Sequence, residues 1–364
     1  MLRVGLLTSG GDCQALNATM RGIVKSLHTL YEGDVEFIGF EDGYKGLMYE
    51  NYKKMTPKDF SGILTIGGTI LGTSRQPFKM MEVIEQEGPH KGMDKVAEMI
   101  RTYNRLHLDC LCILGGNGSQ KTANLLSQKG LNIIGLPKTI DNDLWGTDMT
   151  FGFDSAVKIA TDAIDCIHTT AASHSRVFIV EIMGHKVGPL TLHAGIAGGA
   201  DIILLPEIPY DINKVVEAVK KRAKEGHKFT IIAVAEGAIS KEHAALSKKE
   251  RKKALLEQSK LYPSISYKIA ADLKEIAGVE VRVTVPGHTQ RGGAPVPSDR
   301  VLSSRFGAHA AELIKRGEFG RLVVIKNGEV TSIPLEDSAG KLKYVDPESS
   351  IVKEAKLLGI KFGD

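Results

Sequence analysis

The sequence predicts an α/β protein with mainly parallel sheets flanked by helices and arranged in two lobes. Three observations carry this. Short apolar runs of strand length alternate with longer stretches of helical periodicity. The glycine-rich and charged segments begin where apolar runs stop, and open α/β sheets bind ligands at the carboxyl ends of their strands. The chain of 364 residues is long enough for one large or two ordinary α/β domains.

Taken in order, the first strand is expected at Val4–Leu7 and ends in Ser9-Gly-Gly-Asp12. Glycines there let backbone N–H groups approach an anion, and the N-terminus of the expected helix Leu16–Leu30 adds a favourable dipole. Val35–Phe40 reads as a second strand. The helical pattern Lys95–Leu106 leads into an apolar strand at Cys110–Leu114. Cys110 and Cys112 share one face of that strand. They fit a buried sheet better than a zinc site, which takes Cys-x-x-Cys pairs. Gly115-Gly-Asn-Gly118 follows, ahead of a helix expected at Lys121–Lys129. It is not a dinucleotide fingerprint, because the last glycine position is Lys121. Nor is it a Walker A loop, since no glycine directly precedes Lys121.

Ile133–Leu136 is the next strand, and it opens into the most informative stretch, Gly135-Leu-Pro-Lys-Thr-Ile-Asp-Asn-Asp143. Alone, Asp-Asn-Asp reads more readily as an Asx-rich turn than as a catalytic site. Behind Lys138 and Thr139, however, an ionised Asp can take a proton from an alcohol while a lysine and backbone N–H groups hold a phosphate. That points to phosphoryl transfer onto a hydroxyl. A helix at Ser155–Thr170 and strands at Val177–Ile182, Ile202–Leu205, Thr230–Ala235, Glu280–Val285 and Leu322–Lys326 complete the pattern. Lys248–Lys253 reads as the solvated face of a surface helix.

Composition excludes little else. Charged residues make up 25% and apolar ones 42%, as in ordinary globular proteins, and a formal charge of +4 is too weak to argue for nucleic acid. No apolar stretch approaches the roughly 20 residues that span a bilayer, and no secretory leader is visible. A reduced cytoplasm is the default expectation.

Five further segments accompany Pro137–Asp143: Leu6–Asn17, Gly67-Gly-Thr-Ile-Leu-Gly-Thr-Ser-Arg75, Ile113–Ser119, Glu181-Ile-Met-Gly-His185 and Pro286-Gly-His-Thr-Gln-Arg-Gly-Gly293. Together they closely resemble the 6-phosphofructokinase family, of the bacterial phosphofructokinase A type, from about Met1 to the Leu322 region. The resemblance implies two similar Rossmann-like lobes with the active site in the cleft between them. It puts residues 1–150 plus about 287–315 in a phosphoryl-donor lobe, and 151–286 plus about 316–364 in a fructose 6-phosphate lobe.

The resemblance assigns Gly11 and Gly116, Asn117, Gly118 and Ser119 to the nucleotide phosphates, with Arg75 and Gln76 nearby. Asp141 is the candidate general base and Thr139 a contact to the transferring phosphoryl group, beside Ile140. Arg282, His288, Arg291 and Arg176 match residues that bind the sugar 6-phosphate. Glu236 matches a carboxylate that hydrogen-bonds sugar hydroxyls, and Met183 and Gly184 shape the same pocket. Relatives donate the counterparts of Arg176 and Arg282 from a neighbouring subunit. A homo-oligomer with shared sites is therefore implied, a tetramer in preference to a dimer.

Two departures stand out. Most relatives carry an aspartate at Asn117 that helps hold Mg²⁺, so Mg²⁺ is expected as its nucleotide complex with a weaker share from the protein. Asp143 and Asp12 are the carboxylates that could compensate. Many relatives carry an arginine at His185, a role that can pass to Lys138. Gly118 and Lys138 bear on the donor: pyrophosphate-using members usually have Asp at the former, and Gly118 leaves room for the α-phosphate of ATP. ATP is favoured over pyrophosphate. A catalytically silent, phosphosugar-sensing subunit is the different-class rival, and an oxidoreductase is disfavoured by the glycine spacing. Arg21 and Lys25 keep only part of the family's effector site, and Ile164–His168 lacks its arginine, so regulation is expected to be weak.

Overall fold

The computed structural model describes residues 1–364. In chain order its elements are β1 (Leu2–Ser9), α1 (Leu16–Leu30), β2 (Val35–Phe40), α2 (Tyr44–Tyr49), β3 (Tyr52–Met55), α3 (Lys95–Arg105), β4 (Cys110–Gly115), α4 (Asn117–Gln128), β5 (Ile133–Pro137) and α5 (Phe153–Ala171). There follow β6 (Val177–Ile182), α6 (Pro189–Ala197), β7 (Ile202–Leu204), α7 (Ile212–Lys224), β8 (Thr230–Ala235), α8 (Lys241–Ala245), α9 (Lys248–Leu261), α10 (Ile265–Ala277), β9 (Val281–Thr284), α11 (Pro297–Arg316), β10 (Arg321–Lys326), β11 (Glu329–Pro334), α12 (Leu335–Ser338) and α13 (Ser350–Leu357).

The chain divides into two compact units, Met1–Ser155 with Arg291–Lys343, and Ala156–Gln290 with Tyr344–Asp364. The first holds a seven-stranded sheet in the order β11-β10-β5-β4-β1-β2-β3. Its five central strands are parallel, and β3 and β11 pair antiparallel at the two edges. All six residues of β4 are buried, as a strand covered on both faces requires. Each fully buried Leu or Ile there contributes about 1.5–3 kcal/mol by transfer from water. Cys110 and Cys112 belong to this core. α1 packs closely on α11 where Gly22 faces Gly307: a Cβ on Gly307 would meet the Gly22 backbone at 2.6 Å.

The second unit holds a four-stranded parallel sheet, β7-β8-β6-β9. Its core joins Ile179, Ile202, Ile232 and Val234 to the inner faces of α7 and α10. α9 has no buried residue and is fastened at its start by Ser247 and Glu250, which cap each other's backbone, in keeping with a solvated basic face.

Two expectations change. Residues 316–343 were assigned by resemblance to the second lobe. They lie in the first unit instead, because β10 pairs parallel with β5 (Arg321 with Ile134) and the β11 hairpin follows it. The helix expected from Lys121 begins at Asn117, so two residues of the glycine loop, Asn117 and Gly118, belong to its first turn.

Candidate active site

The first unit gathers three loops at the carboxyl ends of β1, β4 and β5. Parallel pairing fixes this, since Ser9 is level with Gly115 and Gly115 with Pro137. The Ser9–Asp12 turn is fastened to the Thr73–Arg75 segment, with Gly10 N–H donating to the Ser74 carbonyl at 3.1 Å and Thr73 Oγ1 to the Gly10 carbonyl at 2.7 Å. Arg75 is exposed and Gln76 partly so. Arg291 donates from Nη1 to the Asp12 carbonyl at 2.8 Å, and a Cβ on Gly11 would meet that same guanidinium at 2.7 Å. Glycine is thus required at Gly11 for the arginine to lie against the loop.

Gly116 precedes α4 in extended conformation, and Asn117, Gly118 and Ser119 are its first turn. The first intrahelical N–H visible there is that of Gln120, donating to the Gly116 carbonyl at 3.0 Å. The N–H groups before it are the orphan donors of a helix start, aligned with the positive end of its dipole. Ser119 donates from Oγ to Ser9 Oγ at 2.9 Å, which joins this cradle to the β1 loop. Gly118 is exposed, and a Cβ there would meet nothing within 4 Å.

After β5, Lys138 is buried and its ammonium donates to the Gly11 carbonyl. Burial pushes its pKa below the usual lysine range and Arg291 adds to this, while Asp141 and Asp143 pull it back. The Asp141 N–H donates to Thr139 Oγ1 at 3.0 Å, and Thr150 Oγ1 donates to the Thr139 carbonyl at 2.8 Å. Asn142 holds φ near +50°, an unusual value for a residue with a side chain, so the turn carrying the two aspartates is held by its surroundings. Ile140 is fully buried beneath it.

In the second unit, Glu236 follows β8, and its Oε1 accepts from the backbone N–H groups of Gly184 and His185 at 3.2 and 2.6 Å. The loop after β6 is thereby folded onto the end of β8. His185 takes φ near +50° and exposes its ring. Met183 N–H donates to Gln290 Oε1 at 3.2 Å. Arg176 and Arg282 both pair with Glu280, the former through Nε at 2.6 Å. His288 is exposed, in the turn Gly287–Arg291 through which the chain passes back to the first unit.

Each unit thus collects one set of candidates. The first holds an anion cradle, a buried lysine and an acidic turn; the second holds a carboxylate-braced loop and exposed cations. A family model described as Phosphofructokinase matches residues 3–314. The chain belongs to the phosphofructokinase family. It is 52% identical to the ATP-dependent 6-phosphofructokinase of Spirochaeta thermophila, over 99% of this chain and 97% of that one. A phosphofructokinase structure from Saccharomyces cerevisiae is 30% identical with a TM-score of 0.76, over 93% of this chain but only 45% of the yeast chain. A pyrophosphate-dependent phosphofructokinase from Nitrosospira multiformis shares the fold alone, at 19% identity and TM-score 0.79, over 96% of this chain and 87% of that one. The phosphofructokinase fold therefore does not by itself choose the donor.

One part of this phosphofructokinase site escaped sequence reasoning. The segment Lys341–Lys343 lies along the first-unit loops: Asn117 Nδ2 donates to the Lys341 carbonyl at 2.6 Å, Leu342 bridges antiparallel to Leu144, and Lys343 N–H donates to the Asp143 carbonyl at 2.8 Å. It sits in the tail beyond the family motifs, where the only signal was a run of alternating lysines.

The candidate metal ligands are oxygen donors, the kind Mg²⁺ takes when it is shared with phosphate. Asp143 supplies a hard carboxylate oxygen, and Asn117, with its amide nitrogen engaged by Lys341, keeps Oδ1 as the atom able to coordinate. No cluster of three or more His, Cys, Asp or Glu side chains forms a metal cage of its own.

Proposed function

We propose that this chain is an ATP-dependent 6-phosphofructokinase, transferring the γ-phosphoryl group of ATP to the 1-hydroxyl of D-fructose 6-phosphate to give fructose 1,6-bisphosphate and ADP. The observation that carries the choice of donor is Gly118, exposed in the first turn of α4 with open space where a side chain would stand. The ATP-dependent name of the Spirochaeta thermophila relative, which matches almost end to end, supports it.

In this reading the N–H groups at the start of α4 and the Ser9–Asp12 turn hold the donor phosphates. Asp141 takes the proton of the sugar 1-hydroxyl as its oxygen bonds to the γ-phosphorus and the bond to the β-phosphate oxygen breaks. Thr139 and Lys138 stabilise charge on the transferring group. Arg291, packed on the Gly11 loop, contributes its cation to the sugar 6-phosphate. When bound with the nucleotide, Mg²⁺ neutralises β- and γ-phosphate charge, with Asp143 and Asn117 as its candidate protein ligands. Glu236 orients the sugar, while His288 and the arginines Arg176 and Arg282 bind the 6-phosphate, the last two across a subunit boundary in a homotetramer. The protein works in the cytoplasm with weak effector control; no helix is long and apolar enough to cross a membrane.

A donor panel tests this: purified protein with fructose 6-phosphate and Mg²⁺, given ATP or pyrophosphate. Turnover with ATP well above pyrophosphate is expected. Lys138, typical of pyrophosphate enzymes but found also in ATP-using members that keep the glycine, makes the reverse preference the outcome that would replace this reading; no turnover with either would favour the phosphosugar-sensing subunit.

A further inference from the structure

The loop that follows the acidic turn, Asn142–Asp148, has no regular secondary structure of its own and contains the chain's single tryptophan, Trp145. β10 anchors its far end, with Asp148 N–H donating to the Ile325 carbonyl at 2.8 Å and Ile325 N–H to Thr147 Oγ1 at 3.1 Å, and the tail spans both ends. The ammonium of Lys343 donates to Asn142 Oδ1, the Thr147 carbonyl and the Asp148 carbonyl, each at 2.9 Å. Its backbone N–H adds the bond to the Asp143 carbonyl, and Ser338 Oγ donates to the Trp145 carbonyl at 2.6 Å. One lysine thus uses all three N–H donors to close the two ends of the loop onto each other. All of these groups lie in the first unit, with Asp141 and Asp143 at the loop's entrance.

We propose that Lys343 is a positioning residue for phosphoryl transfer: it acts through Asn142 and the Thr147–Asp148 carbonyls to hold the Asp141–Asp143 turn in reacting geometry, without touching either substrate. Two features argue that a cation is needed there rather than any side chain that fills space. Three carbonyl-type oxygens converge on one ammonium; Asn142 Nδ2 also donates to the Asp148 carbonyl at 3.1 Å and Thr150 Oγ1 to Asn142 Oδ1 at 3.4 Å, but Lys343 is the group that gathers all three, and its removal sets their dipoles against one another. Asn142 keeps φ near +50°, a conformation that persists only while its surroundings over-determine it. Release of Asn142 would let Asp141, its immediate neighbour, leave its place. The same tail gives a reason for the neutral residue at Asn117: a carboxylate there would set an anionic oxygen against the Lys341 carbonyl that Asn117 now donates to.

The proposal rests on the phosphofructokinase reading, and its test separates the two. K343M keeps length and apolar stem and removes the donors; K343R restores charge and several donors. We expect K343M to lower kcat about ten- to a hundredfold, the scale of a small misplacement of reacting groups, with KM for fructose 6-phosphate within about twofold of wild type, and K343R to recover part of the loss. Independently of turnover, the fluorescence anisotropy decay of Trp145 should show a larger fast component in K343M than in wild type. A folded K343M with wild-type kcat overturns the proposal, whatever Trp145 does. An unchanged Trp145 decay also overturns it, even with kcat reduced. If K343M does not fold, K343Q is read by the same two criteria. If wild-type protein turns over with neither donor, the functional reading has failed, and the Trp145 measurement still decides whether Lys343 holds the loop.

Discussion

Asp141 and Thr139 are tied to one another: the aspartate's backbone N–H donates to the threonine hydroxyl oxygen at 3.0 Å, so the proposed base and the proposed phosphoryl contact move as one unit. Asp141→Asn should preserve the fold and substrate binding while lowering kcat about 10²–10⁴-fold, the usual share of general acid–base catalysis. Thr139→Val keeps the shape but removes the acceptor and should also reduce kcat. Steady-state kinetics check both, and an Asp141→Asn protein within a few-fold of wild type would rule out the role.

Gly118→Asp should suppress the use of ATP far more than binding of fructose 6-phosphate. No atom lies within 4 Å of the position its Cβ would take, so the free protein has room for the side chain. An acid in the first turn of a helix is moreover favourable, and the glycine it replaces is a poor helix former. Thermal stability is expected to be equal or higher. Against a phosphate at about 4 Å, with an effective dielectric near 20, the added charge costs about 4 kcal/mol before relaxation. A quarter of that is nearly tenfold in affinity. KM for ATP and Tm, measured on both proteins, check the two halves of the prediction.

Thiol labelling should discriminate sharply among the four cysteines. Cys13, Cys110 and Cys112 are buried, whereas Cys166 is exposed on the chain surface. Burial pushes the Cys13 thiol up to about 12 and raises that of Cys110 as well. Since the thiolate is the nucleophile, neither should react near neutral pH. Brief alkylation of native protein followed by peptide mass spectrometry should find label only at Cys166, and all four sites after denaturation. Rapid native labelling of Cys13 would contradict the buried loop around it.

Glu36 offers a pH-dependent contribution to stability. It lies between Arg3 Nε at 2.5 Å and Lys54 Nζ at 3.0 Å, and its side chain is 17% exposed. The hydrogen bond from Lys54, and then that from Arg3, hold its pKa below the usual glutamate range against a desolvation penalty. A folded-state pKa below the unfolded one gives stability that is present above the unfolded value and lost as pH falls through the folded one. The stability difference between wild type and E36Q, measured by urea unfolding, should therefore be largest near neutrality. It should shrink on acidification through the carboxylate range; a difference that does not change with pH would refute the assignment.

Assembly should be required for activity. Within one chain Arg176 and Arg282 pair with Glu280, and both are at least partly exposed, so the proposed reach into a neighbouring subunit's site would require them to leave that pairing. Sedimentation under turnover conditions is expected to show no active monomer. Mixing inactive Asp141→Asn chains with inactive Arg282→Ala chains should restore measurable activity if sites are shared.

Much of the fold was legible because its strands announce themselves. Val35–Phe40, Val177–Ile182 and Thr230–Ala235 are apolar runs bounded by turn residues, and they form strands over those same residues. The edge strand Tyr52–Met55 was not legible. Its sequence, Tyr-Lys-Lys-Met, has the charge and brevity of an edge, which erase the apolar signal. β11, Glu329–Pro334, was missed for a similar reason: it has no buried residue and alternates with threonine and serine. The glycine turn at Gly115–Gly118 could be read as a loop after a strand, but the start of α4 could not, because Asn-Gly at a helix start looks like a turn. Lys343 gave no sign at all. Two of its three partners are backbone carbonyls nearly two hundred positions away, and a contact to backbone leaves no trace in residue type.

The pairing of β10 with β5 also sets the timetable of biogenesis. On the ribosome, β1, β2, β4 and β5 emerge early, yet the outer side of β5 has no partner until Arg321 and its neighbours have been added. At about 5–20 residues per second the nascent sheet waits on the order of ten seconds or more with one edge open, while Ala156–Gln290 of the second unit is being made. An uncovered parallel edge is a template for association with other chains. Truncation before Arg321 should therefore yield aggregates rather than a soluble fragment, even though every loop of the phosphate cradle has by then been synthesised.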